Sequence, residues 1–125
     1  MKKLITLLAA TFVLASAYAG EFADISLTEV KALTESKTAV IIDVNGSDSY
    51  KEGHVPTALN FAAIEDKLAA SLPADKNTLI VAYCGNPKCP AYLRAAKAVK
   101  KLGYNNVKHM AEGISGWKSA GLKTE

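Results

Sequence analysis

The chain has 125 residues, with 15 basic against 12 acidic side chains, two histidines and two cysteines. Half of the residues are hydrophobic, enough for one modest core, while two cysteines are too few for a disulfide scaffold. The net charge of +3 shows no basic face or stripe, so no electrostatic footprint for nucleic acid or a membrane surface is present.

The chain opens on Met1-Lys2-Lys3, followed by an apolar run from Leu4 to Leu14 and the small residues Ala15-Ser16-Ala17-Tyr18-Ala19. A basic start, a short apolar core and an A-x-A site predict a secretory signal peptide over residues 1–19, cut after Ala19. The apolar core is shorter than the ~20 residues a spanning helix needs. No cysteine follows the cut, which argues against a lipid anchor. Residues 20–125 then form one nearly neutral domain, periplasmic or secreted, with no membrane association after cleavage. Both cysteines lie in it, in a compartment where a disulfide is allowed.

Ser26 with Glu29 three residues on, flanked by Ile25 and Val30, predicts a helix start, and the helix should run to about Ser36. Thr38 to Val44 is a continuous apolar run ending Asp43-Val44, as in a strand covered on both faces of a parallel sheet. Asn45-Gly46-Ser47 predicts a turn, and Asp48 to Glu52 one or two helical turns. Gly53-His54-Val55-Pro56 breaks them, and Thr57 to Asn60 predicts a short strand. Ala62 to Ser71 reads as a helix with Ile64, Leu68 and Leu72 on one side. A polar loop from Pro73 leads to a strand over Thr78 to Tyr83.

The loop Cys84-Gly85-Asn86-Pro87-Lys88-Cys89-Pro90 follows. A helix should begin near Pro90, which suits a first helical position. Tyr92, Ala95, Ala96, Val99 and Leu102 form its buried stripe, with Arg94, Lys97 and Lys101 on the solvated side. Gly103 can supply its left-handed cap. Val107 to Met110 predicts a last strand, and Gly113 to Ala120 a closing helix carrying Trp117. Strands alternating with helices predict an α/β domain, a mostly parallel central sheet with helices on both faces. Ligands bind such sheets at the carboxyl ends of the strands, where Asp43 and Cys84 both fall.

A strand-to-helix turn aims backbone N–H groups at one spot, binds an anion there and activates a thiol. Cys84 is therefore the candidate nucleophile. The backbone of Gly85, Asn86, Pro87 and Lys88 is the candidate anion cradle, with Lys88 adding attraction. Cys89 is a candidate resolving thiol or disulfide partner: attack on an oxidised or persulfidated Cys84 would close an internal disulfide. Asp43 and His54 are read as supporting residues that order the turns around them. His109 is read as a strand or surface residue away from the loop. Two thiols and two unplaced histidines give no metal site, and no cofactor is expected.

Asp43-Val44, Gly53-His54-Val55-Pro56, Ala58 and Asn60 resemble the first signature of rhodanese-like domains. Tyr83-Cys84, Leu102-Gly103-Tyr104, Asn106-Val107 and Glu112-Gly113-Ile114-Ser115-Gly116-Trp117 resemble the second half. The resemblance covers residues 23 to 120. It implies a single-domain sulfurtransferase in which Cys84 carries a persulfide between a small anionic or persulfidic donor, such as thiosulfate, and a thiol or cyanide acceptor. The family's usual loop is glycine-rich, with arginine five positions after the cysteine; here that position is Cys89. Lacking this cation, the loop is poorer at holding thiosulfate, and poorer still at the bidentate clamping of a phosphate dianion that the related phosphatases need. Two alternatives stay open: a thiol–disulfide protein cycling Cys84 and Cys89 with a periplasmic redox partner, and a catalytically silent binding module on the same scaffold.

Overall fold

The computed structural model describes residues 21–125; the expected signal peptide lies outside the described residues. Five parallel strands form one sheet: β1 (Ala23–Asp24), β2 (Ala39–Asp43), β3 (Leu59–Asn60), β4 (Leu79–Tyr83) and β5 (Val107–His109), in the order β1-β5-β4-β2-β3. The helices are α1 (Leu27–Ser36), α2 (Ser47–Glu52), α3 (Phe61–Ile64), α4 (Leu68–Ser71), α5 (Tyr92–Lys101) and α6 (Gly113–Ser119). The expected α/β architecture is the one observed.

β4 lies at the centre because its residues can be buried on both faces. Side chains alternate across a strand. Ile80, Ala82 and Cys84 join a core with Phe61, Leu68 and the inner face of α5. Val81 and Tyr83 join the opposite core with Val30 of α1, Val55, and Ile114 and Trp117 of α6. Cys84 and its neighbour Tyr83 therefore face different layers, and each is tied to its own layer.

Ser26 caps α1 as expected, its Oγ accepting the Glu29 N–H at 3.1 Å. At the other end Lys37 takes the left-handed conformation, φ 54°, and donates its N–H to the Leu33 carbonyl. Three expectations are corrected. The helix predicted over Ala62 to Ser71 is split into α3, a 3-10 turn over Glu65–Lys67 and α4. The backbone leaves the helical region at Lys67, and the turn carries Glu65 out to Arg94 of α5, 2.9 Å away. Leu102 is exposed rather than buried. The chain has already left α5 and turns at Gly103 (φ 102°), so that Tyr104 fills the core instead and donates to the Pro73 carbonyl. Strand β1 was not expected; two residues at a sheet edge carry too little pattern to be read.

At the carboxyl ends of β2 and β4 a buried network joins the strands. Tyr83 Oη donates to Asp43 Oδ2 at 2.6 Å and accepts the Val55 N–H at 3.0 Å, while Asp43 Oδ1 accepts the Asn45 N–H at 2.8 Å. Burial, reinforced by the Asp43 charge, holds the Tyr83 phenol far above its ordinary value, so it stays the donor. Tyr83→Phe leaves Asp43 Oδ2 and the Val55 N–H without this partner. The expected cost is ~1–3 kcal/mol, read as a lower urea midpoint with an unchanged slope; an unaltered midpoint would show that the network adds nothing to stability.

Candidate active site

Cys84 stands one residue past the end of β4 and is 1% exposed. Its position is set by what holds the backbone on either side. The Cys84 carbonyl accepts the Ile114 N–H at 2.9 Å, and the Gly85 carbonyl accepts the Ser115 N–H at 3.0 Å. These donors are the first N–H groups of α6, which have no partner inside their own helix. In a planar trans peptide the N–H points away from the C=O. Pinning the two carbonyls towards α6 therefore turns the N–H groups of Gly85 and Asn86 to the opposite side of the chain. Gly113 makes the approach feasible. Its φ is +63°, and a Cβ there would lie 2.5 Å from the Cys84 carbonyl oxygen.

The start of α5 supplies donors from the other direction. The Tyr92 N–H points at Cys84 Sγ, 3.3 Å away, and the Ala91 N–H at the Cys89 sulfur. The Gly85 N–H favours the thiolate at both cysteines. Elsewhere the loop spends its donors on itself: Lys88 N–H goes to Asn86 Oδ1 at 2.9 Å and Cys89 N–H to the Asn86 carbonyl at 3.2 Å. Pro87 has no N–H. The N–H hydrogen-bonded to sulfur is thus that of Tyr92, those of Gly85 and Ala91 add to the preference for thiolate, and Lys88 is exposed.

Both cysteines are free thiols, and they differ in character. Cys84 S–H donates to the Cys89 carbonyl oxygen at 3.1 Å. Burial first, then the contact with Cys89, pushes its pKa up to about 12, against the opposing pull of the Tyr92 and Gly85 N–H groups. Cys89 is half-buried. Its burial also disfavours charge, but the bonds it receives from Cys84, Ala91 and Gly85 outweigh this, and its pKa is lowered. A cavity of about 340 Å³ opens beside Cys89, with Glu21, Lys88, Tyr92 and His109 among its lining residues.

His109 was expected away from the loop and lies against it. Its imidazole stacks on the Tyr92 ring with centroids 3.4 Å apart, with Nδ1 3.6 Å from Asp24. Its Nε2 is buried without a hydrogen-bond partner. Burial pushes its pKa down, against Asp24 and Glu112, so the ring is a neutral wall of the cavity. Its place at the carboxyl end of β5, beside β4, was the signal that marks it.

His54 lies on the other side of the sheet end. Its Nδ1 is 2.7 Å from the Tyr50 carbonyl, its ring stacks on Tyr50, and its backbone pairs with Glu125. Asp43 reaches the loop through Tyr83 and through the Asn45 N–H that it accepts. Both residues position the chain and neither touches sulfur. Asn45 was read only as a turn residue. Its Oδ1 lies 3.5 Å from where a Gly85 Cβ would stand, and its Nδ2 is buried without a partner. Arg94 points away to Glu65. Among the described residues, no group of three or more His, Cys, Asp or Glu side chains is placed to hold a metal ion.

The fold is a single α/β domain that holds a cysteine between two helix starts at the carboxyl end of its central strand. The family model for the rhodanese-like domain matches residues 26–120, and the chain belongs to that family. It is 26% identical over 102 residues to a thiosulfate sulfurtransferase of Shewanella oneidensis, covering 79% of this chain and 95% of that protein. It is 31% identical over 103 residues to an HTH-type transcriptional regulator of Mycobacterium tuberculosis, covering 81% of this chain but 44% of the regulator. The crystal structure of a thiosulfate sulfurtransferase from Pseudomonas aeruginosa superimposes with a TM-score of 0.67 at 25% identity, over 82% of this chain and 20% of that one. Sulfur transfer is thus an activity found within the family.

Gly113→Ala tests the pinning of the loop. A side chain at this φ costs ~1–3 kcal/mol before the clash is counted. The variant should melt at lower temperature and lose the protection of Cys84 from thiol reagents in the folded state. Unchanged protection would separate the Cys84 environment from α6.

Proposed function

We propose that the domain is a sulfurtransferase that carries sulfane sulfur as a persulfide on Cys84. A cysteine thiolate attacks the outer sulfur of thiosulfate or of a persulfide. The new S–S bond forms as the donor's S–S bond breaks, and sulfite or a thiolate leaves with the electron pair. An acceptor thiol or cyanide then takes the sulfur in a second displacement, a ping-pong scheme. The observation that carries this reading is the Tyr92 N–H directed at Cys84 Sγ at the carboxyl end of the central strand. Backbone donors of this kind stabilise an anionic sulfur without a charged side chain. Thiosulfate and organic persulfides are both small and anionic, and Lys88 at the rim favours such a donor. We place the reaction in the periplasm or outside the cell, on the leader-like residues 1–19.

Two free thiols in one loop, with Cys84 S–H on the Cys89 carbonyl, favour a second reading, thiol–disulfide exchange with a redox partner protein. One experiment addresses both. The reduced chain is exposed to thiosulfate or glutathione persulfide and mapped by mass spectrometry. Sulfur transfer predicts a gain of about 32 Da on a Cys84 peptide, and disulfide cycling a loss of about 2 Da joining Cys84 to Cys89. If neither donor leaves added sulfur in the 84–89 loop, the sulfurtransferase reading fails.

A further inference from the structure

The carrier site described above has an access problem. Cys84 is 1% exposed, its thiol proton is committed to Cys89, and Cys84 does not line the adjoining cavity. Cys89 does line it and is half-buried. A donor entering beside Lys88 and the stacked Tyr92–His109 pair meets the Cys89 sulfur. Cys84 Sγ lies 3.1 Å from the Cys89 carbonyl oxygen, so sulfur placed on one cysteine stands in the same short loop as the other.

We propose that Cys89 is the thiol that meets the donor, and that it relays sulfur inward to Cys84. The inference rests on the persulfide reading of the loop and adds the order of events. The Cys89 thiolate attacks the outer sulfur of thiosulfate or of a low-molecular-weight persulfide. A bond forms between Cys89 Sγ and that sulfur, and sulfite or thiolate departs with the electron pair. Cys84 Sγ then attacks the same outer sulfur. The bond to Cys89 breaks with its electrons passing to Cys89 Sγ, and the Cys84 proton, which points at the Cys89 carbonyl oxygen before the step, ends on Cys89 Sγ. Cys84 S–H and Cys89 persulfide become Cys84 persulfide and Cys89 S–H, with no net oxidation.

Three features of the loop serve this order. The Ala91 N–H stabilises the entering thiolate on Cys89, and the thiolate is the attacking form of a cysteine. The Tyr92 N–H waits at Cys84 for the sulfur that arrives. The Gly85 N–H serves both sulfurs, so a charge passing from one cysteine to the other keeps a common donor. Glu21 also lines the cavity but pairs with Lys97 at 3.6 Å, which leaves Lys88 as the lining cation that can guide a small anion.

The test is a time course on the full reduced chain with thiosulfate and, separately, glutathione persulfide, with adducts trapped by alkylation and mapped. The wild type should show sulfur first on Cys89 and later on Cys84. In Cys89→Ser, loading of Cys84 should slow by about tenfold or more, and in Cys84→Ser sulfur should accumulate on Cys89. Loading of Cys84 in Cys89→Ser at the wild-type rate overturns the relay and leaves the persulfide reading intact. Absence of added sulfur on both wild-type cysteines overturns both. A measurement without substitutions guards against a misfolded variant: a limiting amount of iodoacetamide should label Cys89 ahead of Cys84 in the folded chain. Equal labelling, or labelling of Cys84 first, overturns the assignment of Cys89 as the entry thiol.

Discussion

Two hydrogen bonds, from the Ile114 and Ser115 N–H groups to the Cys84 and Gly85 carbonyls, govern the site. Without them the first turn of α6 would carry unmet donors in a buried place, and the peptides after Cys84 would be free to rotate. With them, the carbonyls face α6 and the Gly85 N–H faces the sulfurs. One interaction thus caps a helix, anchors a loop and sets the sign of the potential at the reactive atoms. A backbone donor needs no counter-charge and cannot be titrated away. It would suit the proposed persulfide chemistry, in which the charge on sulfur changes while the loop stays in place.

The same strand end is anchored on its other face. Tyr83 and Cys84 are sequential, so the pleat sends them to opposite layers. Asp43 and the Val55 N–H hold the Tyr83 hydroxyl, while Tyr92 and Cys89 hold the Cys84 sulfur. A shift of β4 by one residue would break both sets together and put a phenol where the thiol stands. The buried Asp43 therefore acts at a distance from the chemistry. It fixes the register of the strand that delivers the cysteine, and it does so through a neutral phenol that cannot leave the charge unpartnered.

What the sequence made legible was what local pattern controls. Ser26 announces a cap, the apolar run ending at Tyr83 announces a central strand, and the Gly/Pro loop after it announces a strand-to-helix turn. The spacing of Tyr92, Ala95, Ala96 and Val99 gives the buried face of α5, and it misleads only at Leu102, where the helix has already ended. Contacts between distant segments were not legible. His109 reaches the site because β5 pairs beside β4, and its stacking on Tyr92 depends on where α5 begins. The direction of each loop N–H depends on α6, from a later part of the chain. Asn86 was grouped with Gly85, Pro87 and Lys88 as one cradle, yet its side chain and carbonyl close the turn by taking the N–H groups of Lys88 and Cys89. No local rule separates a donor aimed at a ligand from one used to close the loop.

The replacement of a loop arginine by Cys89 changes the physics of the site. A guanidinium would hold an anionic donor by charge and by paired hydrogen bonds, and would lower the pKa of a neighbouring thiol and so favour its thiolate. A second thiol does neither for Cys84. The Cys89 carbonyl accepts the Cys84 S–H and helps keep that sulfur neutral, while Cys84 in turn favours charge on Cys89. The pair is polarised: the inner sulfur is a thiol and the outer one is the better thiolate. Such a pair gives up electrostatic grip on a dianion. The remaining attraction for an anion then comes from the Ala91, Tyr92 and Gly85 N–H groups and from Lys88 at the rim. These act at short range, on the sulfur itself, and not on the far end of the donor.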